Sequence, residues 1–176
     1  MSAAKGERMR RLILFRHAKT EVRSEAGDDF SRHLTERGRQ DAVLMGRVLA
    51  DADFAPNLAL VSPAARAVET WESLAESFPK ARVERRKGLY DGTPEEIAEE
   101  AGIDTASSNT VMVIGHNPGL QELAVNLLID NAGSHHDIEA LSAGFPTAAA
   151  AVFAYDAAGR ASLEALFFAR DCRPDP

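Results

Sequence analysis

The chain has 176 residues, 45% of them hydrophobic, which is enough for one domain with a substantial buried core and too few for two. A net charge of -7 excludes general affinity for nucleic acid or for an anionic membrane surface, because both need a net basic face. A single cysteine, Cys172, excludes a disulfide framework; with a polar opening that lacks signal-peptide or membrane-span character, it points to a reducing, cytoplasmic setting.

The reading is one domain over 1–176, with residues 1–10 as a flexible N-terminal tail. Residues 11–16 form an apolar, branched run that reads as a buried strand. From Thr35, a plausible N-cap, Ala42, Met45, Val48 and Leu49 recur at helical spacing and predict the first long helix. Leu58 to Val61 reads as a second strand. Ser62 then reads as a cap and Pro63 as the first residue of a helix that carries Arg66, Thr70 and Trp71 and ends at Phe78. Around Val83 a third, weak strand is expected, with Arg82, Arg85, Arg86 and Lys87 as its solvated edge.

Residues 90–94 read as a turn and 94–101 as a short acidic helix. The stronger signal is at 110–115, an apolar run of buried-strand character, from which Asn117-Pro118-Gly119 leads into a helix at 120–129. His135, His136 and Asp137 fall in an expected polar loop, without the spacing or further ligands of a metal site. Apolar segments at 148–155 and 162–168 flank the turn 156–159 and read as a hairpin or edge strands. Trp71, Phe153, Phe167 and Phe168 read as packing residues. Strands alternating with helices indicate an α/β domain, with helices on both faces of a mostly parallel sheet. Glycine-rich phosphate loops are absent from the sequence.

In such a fold, functional groups gather where strands end and helices begin. Three strand ends here carry cations: Arg16-His17 after the first strand, Arg66 about one turn into the helix after the second, and His116-Asn117 after the strand at 110–115. Two histidines and two arginines in one cleft make a pocket for a phosphoryl group. A neutral imidazole is a competent nucleophile toward phosphorus, and neighbouring cations disfavour its protonation. Guanidinium forks match the charge that phosphoryl transfer spreads over three equatorial oxygens. A protonated His116 and the N-terminus of the helix after Ser62-Pro63 would add to that field.

Four segments resemble the histidine phosphatase superfamily, and within it the SixA-type phosphohistidine phosphatases. They are Leu-Phe-Arg16-His17-Ala18-Lys19-Thr20, Arg32-His33-Leu34-Thr35-Glu36-Arg37-Gly38, Val61-Ser62-Pro63-Ala-Ala-Arg66-Ala67-Val-Glu-Thr70 and Val113-Ile-Gly115-His116-Asn117-Pro118-Gly119. The resemblance implies a phosphoglycerate mutase-like α/β/α sandwich with a mostly parallel central sheet. It implies a phosphoenzyme route in which His17 is phosphorylated and then hydrolysed, without metal or other cofactor, while Arg16, Arg66 and His116 hold the phosphate. Arg32 and Asn117 are implied as further phosphate contacts. Ala18 stands where the superfamily commonly has glycine, and His33 where similar proteins often carry proline.

A departing alcohol usually needs a proton from a carboxylic acid. The candidates are Asp91 and Glu95, with Asp28 and Asp29 in the first loop. Each reads more simply as a solvated loop carboxylate. A phosphoramidate makes a lighter demand, which favours phosphohistidine in a partner protein over a small phosphorylated metabolite. A phosphomutase and a non-catalytic phosphate-binding regulatory module are the alternatives. The short chain leaves little room to enclose a sugar phosphate, and both histidines are present.

Overall fold

The computed structural model describes residues 9–103 and 108–173, so the expected tail at 1–10 lies outside the described residues apart from its last two. Met9 is buried, and Arg10, though exposed, donates its backbone N–H to the Asn109 carbonyl.

Six strands form one sheet: β1 (Arg11–Arg16), β2 (Leu58–Val61), β3 (Arg82–Arg85), β4 (Thr110–Gly115), β5 (Ala150–Tyr155) and β6 (Ala161–Phe167). Their spatial order is β3-β2-β4-β1-β5-β6. Pairings among β1 to β4 are parallel, while the β5–β6 hairpin adds two antiparallel strands at one end. Helices α1 (Glu36–Asp51), α2 (Ala65–Leu74) and α6 (Ala169–Cys172) cover one face, and α3 (Pro94–Ala101), α4 (Gly119–Asp130) and α5 (His135–Ala143) the other. The result is the expected three-layer α/β/α sandwich. No described helix is long and apolar enough to cross a membrane.

The central strands are apolar at consecutive positions because both of their faces are covered. Ile13, Phe15, Val61, Met112 and Ile114 point to the side of α1 and α2, where they pack with Met45, Leu49, Trp71 and Leu74. Leu12, Leu14, Leu60, Val111 and Val113 point the other way, against Leu120, Leu123, Leu128 and Leu141. Each such burial contributes about 1.5–3 kcal/mol, so the two half-cores fix the strand ends that carry the polar residues. The edge strand β3 has no such cover, and Arg82, Val83 and Arg85 are exposed. Phe153 and Trp71 are core residues, whereas Phe167 and Phe168 are only partly buried.

Local chemistry accounts for the helix ends. Thr35 caps α1 by accepting from the Gly38 N–H. Gly38 is required there, since a Cβ would lie 2.1 Å from the Lys19 carbonyl oxygen. Thr93 and Glu96 form a capping box on α3, with Pro94 in the first turn.

Two expectations fail. Ser62 and Pro63 do not start α2: the chain bends at Pro63 and Ala64, Ala64 is the extended N-cap residue, and the N–H of Ala65 donates to the Phe30 carbonyl in place of a side-chain cap. Arg66 is therefore the second helical residue, and α2 ends at Leu74 with a 3-10 turn over Ala75–Ser77 rather than continuing to Phe78. The polar loop expected at 135–137 is instead the start of α5, capped by Ser134 on the Asp137 N–H. Leu141 is the one fully buried side chain of α5, so its apolar periodicity was too faint to read.

Candidate active site

Neighbouring strands β1 and β4 end side by side, with Arg16 opposite Gly115. Beyond them the His17 N–H donates to the Gly115 carbonyl at 3.1 Å, and the Ser62 N–H to the Ile114 carbonyl at 3.0 Å. The Ala18 N–H donates to Thr70 Oγ1 at 3.0 Å, and that hydroxyl donates to the Arg66 carbonyl at 2.6 Å. The three chain segments that carry His17, Arg66 and His116 are thus tied together through backbone before any side chain meets.

His17 is 7% exposed. Its Nδ1 lies 2.8 Å from the Ala18 carbonyl oxygen, which only accepts, so Nδ1 carries the proton and Nε2 keeps its lone pair. Burial, reinforced by the positive charges of Arg66, Arg16 and Arg32, pushes its pKa down to about 4 against the weaker opposing effect of the Ala18 bond. His116 lies with its ring centroid 5.1 Å from that of His17, at a 50° tilt. Burial, then His17 and Arg66, push the pKa of His116 down to about 3. Both imidazoles are neutral at physiological pH.

Arg66 has a side chain only 4% exposed; its Nη1 donates to the Asp29 carbonyl at 2.7 Å and its Nη2 to the Asp29 carboxylate at 2.9 Å. Arg16 donates from Nη1 to the Phe145 carbonyl at 2.8 Å. Each guanidinium has five N–H donors, so most of them remain available. Arg16 Nε, Arg66 Nε and His116 Nδ1 are all buried without a partner. A buried unsatisfied polar group costs about 1–3 kcal/mol. Three such nitrogens thus sit on residues whose charge or ring bears on His17.

The other candidate residues are placed differently. Arg32 binds the Asp29 carboxylate at 2.7 Å, Thr20 Oγ1 at 2.8 Å and the Glu21 carbonyl at 3.1 Å, so it holds the loop that holds Arg66. Asn117 donates from Nδ2 to Gln121 Oε1 and the Phe145 carbonyl. What remains on the side chain is Oδ1, an acceptor, so both amide hydrogens of Asn117 are engaged within the protein. Glu95 lines a groove between α3 and α4 with Ala98, Leu123 and Leu127, away from the histidines. Asp91 is exposed in a left-handed turn, φ 53, and Asp28 accepts from the Ser31 N–H within its own loop. The carboxylate that does join the cluster is Asp29. Burial pushes its pKa up, but the hydrogen bonds and charges of Arg32 and Arg66 together outweigh that and hold it below the usual value. His33 is paired with Glu69 on α2, which also accepts from the Leu34 N–H. Among the described residues no cluster of three or more His, Cys, Asp or Glu is arranged for a metal ion, and His135 pairs with Glu139 along α5.

Two contributors were not read as site residues from the sequence. Tyr90 stands edge-on to the His116 ring at 5.6 Å, lies under the Arg66 guanidinium at 5.8 Å and donates its hydroxyl to Asp29 at 3.3 Å. Ser62 lies 2.7 Å from His116 Nε2. Thr70, by contrast, was visible four residues after Arg66 on the same helix face.

The depressed histidines make the fold acid-sensitive. An unfolded chain protonates both near pH 6.5, whereas the folded one holds out to about 4 for His17 and about 3 for His116. Below pH 6.5 the unfolded state therefore binds more protons, and stability falls as pH drops toward 4. Each group costs about 1.4 kcal/mol per pH unit in that window. Urea unfolding is expected to lose roughly 4 kcal/mol between about pH 7 and about pH 5 from the pair, with His17→Ala removing about half of it. A stability unchanged across this window would contradict two buried neutral imidazoles.

The sheet order, with two histidines and two arginines at the carboxyl edge of its strands, defines a phosphoglycerate mutase-like fold. Residues 12–107, more than half of the chain, match the family model for the histidine phosphatase superfamily (branch 1), and the chain belongs to that superfamily. Its likeness within the superfamily is to the SixA type. The provisionally named phosphohistidine phosphatase SixA of Agrobacterium tumefaciens is 26% identical, with 92% of this chain and 99% of that one covered and a TM-score of 0.80. A provisionally named SixA of Nakamurella multipartitia is 28% identical, with 90% and 95% covered and a TM-score of 0.76. An uncharacterised chloroplastic protein of Arabidopsis thaliana is 32% identical over 125 residues, which are 65% of this chain and 57% of that one. The chain thus spans little more than half the length of that relative. Membership of the superfamily supports phosphatase activity.

Proposed function

We propose that this protein is a metal-independent phosphatase in which His17 is the nucleophile and protein phosphohistidine the preferred substrate. The observation that carries the reading is the neutral His17, its Nδ1–H spent on the Ala18 carbonyl, with buried unpartnered nitrogens on Arg16, Arg66 and His116. Nε2 of His17 attacks phosphorus as the bond to the leaving group breaks, and the guanidinium groups take up the charge on the equatorial oxygens. Water then attacks the phosphorus of phospho-His17, giving inorganic phosphate and restoring the neutral imidazole.

The substrate preference rests on the leaving-group side. Asp29, the carboxyl group tied to the cluster, is held ionised by Arg32 and Arg66 and is a poor proton source for a departing alkoxide. An imidazole leaves from phosphorus with far less need of an acid than an alkoxide does. The similar proteins that bear the SixA name add to this reading.

A phosphorylated histidine-phosphotransfer domain should be dephosphorylated with a kcat/KM at least about 10²-fold above that for a panel of small phosphate monoesters, the size of effect that general acid catalysis commonly supplies. EDTA should leave that rate unchanged. Equal or better turnover of a monoester would overturn the substrate class, and loss of activity on chelation would overturn metal independence.

A further inference from the structure

With both imidazoles buried and neutral, the role of each depends on which nitrogen holds its one proton. The Ala18 carbonyl decides this for His17. For His116 the decision falls to Ser62, a fully buried residue that the mechanism above does not use.

The Ser62 hydroxyl has one hydrogen to donate and two lone pairs. The Ala64 N–H approaches its oxygen at 3.4 Å and faces a lone pair, so the hydroxyl hydrogen is directed elsewhere. Among the described residues, the other polar atom within hydrogen-bond distance of that hydroxyl is Nε2 of His116 at 2.7 Å, a ring nitrogen able to take its hydrogen. The other ring nitrogen, Nδ1, is buried and unpartnered, on a ring whose centroid lies 5.1 Å from that of His17 and which feels the charges of Arg66 and Arg16. We infer that Ser62 is a positioning residue: its hydroxyl donates to Nε2 of His116 and so fixes the ring proton on Nδ1, which makes the uncharged His116 a hydrogen-bond donor to the phosphoryl group.

The inference deepens the proposed phosphatase reading and rests on it. Its consequence is a division of labour between two rings 5.1 Å apart. His17 spends Nδ1–H on the backbone and presents a lone pair, while His116 spends its lone pair on Ser62 and presents Nδ1–H. The reverse tautomer of His116 would aim a lone pair at phosphate oxygens and leave the buried Ser62 hydrogen without an acceptor. The device gives the site a third donor without a third buried cation, in a place where Arg16 and Arg66 already oppose protonation of both rings.

The test is nitrogen-15 NMR of the histidine rings in the full chain at neutral pH, free and with inorganic phosphate. The expected result is a proton on Nδ1 of His116, with its signal shifting when phosphate is added. Ser62→Ala should populate the Nε2–H form and lower kcat about 10- to 100-fold, as loss of an orienting partner does at comparable sites. A wild-type proton on Nε2, or an unchanged His116 tautomer in Ser62→Ala whatever its rate, would overturn the inference. The tautomer is read without turnover, so failure here is distinct from failure of the phosphatase reading, which the fate of the phosphoryl group decides.

Discussion

Replacing His17 with alanine is expected to reduce phosphatase turnover about 10⁴-fold or more, the loss seen when a nucleophile is removed from a site whose other parts remain. The fold should survive. His17 is buried at the cost of its own desolvation, its one polar side-chain bond is to the adjacent Ala18 carbonyl, and the strand end is held by its backbone N–H to Gly115. Steady-state assay beside urea unfolding separates the two effects. Activity within about tenfold of the natural protein would mean that the arginines and His116 act on a water molecule directly, without an enzyme-bound phosphoryl group.

Arg66→Ala is expected to lower kcat about 10²- to 10³-fold, or roughly 3–4 kcal/mol of transition-state stabilisation, because it removes a planar donor edge from a buried, water-poor position. Arg66→Lys should recover only part of this, since a point charge cannot reproduce two parallel N–H bonds. The variant carries a second signature. Arg66 is among the charges that depress His17, so removing it should move the His17 pKa up from about 4. It also deprives the Asp29 carboxylate of one of its two arginine partners, leaving Arg32. An NMR titration of His17 reads the shift. A rate loss with no movement of that titration would mean that Arg66 acts chiefly through the fold.

Much of this was legible in the sequence because the signals were of a strong kind. Unbroken apolar runs at 11–16 and 110–115 could only be strands covered on both faces, and each ended directly in a histidine. Arg66 was readable because it follows a strand by a few residues, which is where an α/β sheet gathers its chemistry. Contacts between segments far apart in the chain were less visible. Tyr90 reaches the site from a turn after the exposed edge strand, and no periodicity marks it. Asn117 looked like a phosphate contact because it follows His116, but the hydrogen bonds it makes to Gln121 and Phe145 depend on where the segment after α5 returns. Ser62 looked like a helix cap because serine before proline usually is one; the strand end instead turns it toward His116. The acid candidates were hard to rank for a related reason: they sit in loops and turns whose paths the sequence does not mark, and of them Asp29 pairs with Arg32 and Arg66.

The account stands or falls on the covalent step at His17. Enzyme mixed with a labelled phosphodonor and quenched in alkali should carry label on His17 that is stable to base and released by acid, with none in His17→Ala. Label on a carboxylate, or none in the natural protein despite turnover, would contradict it.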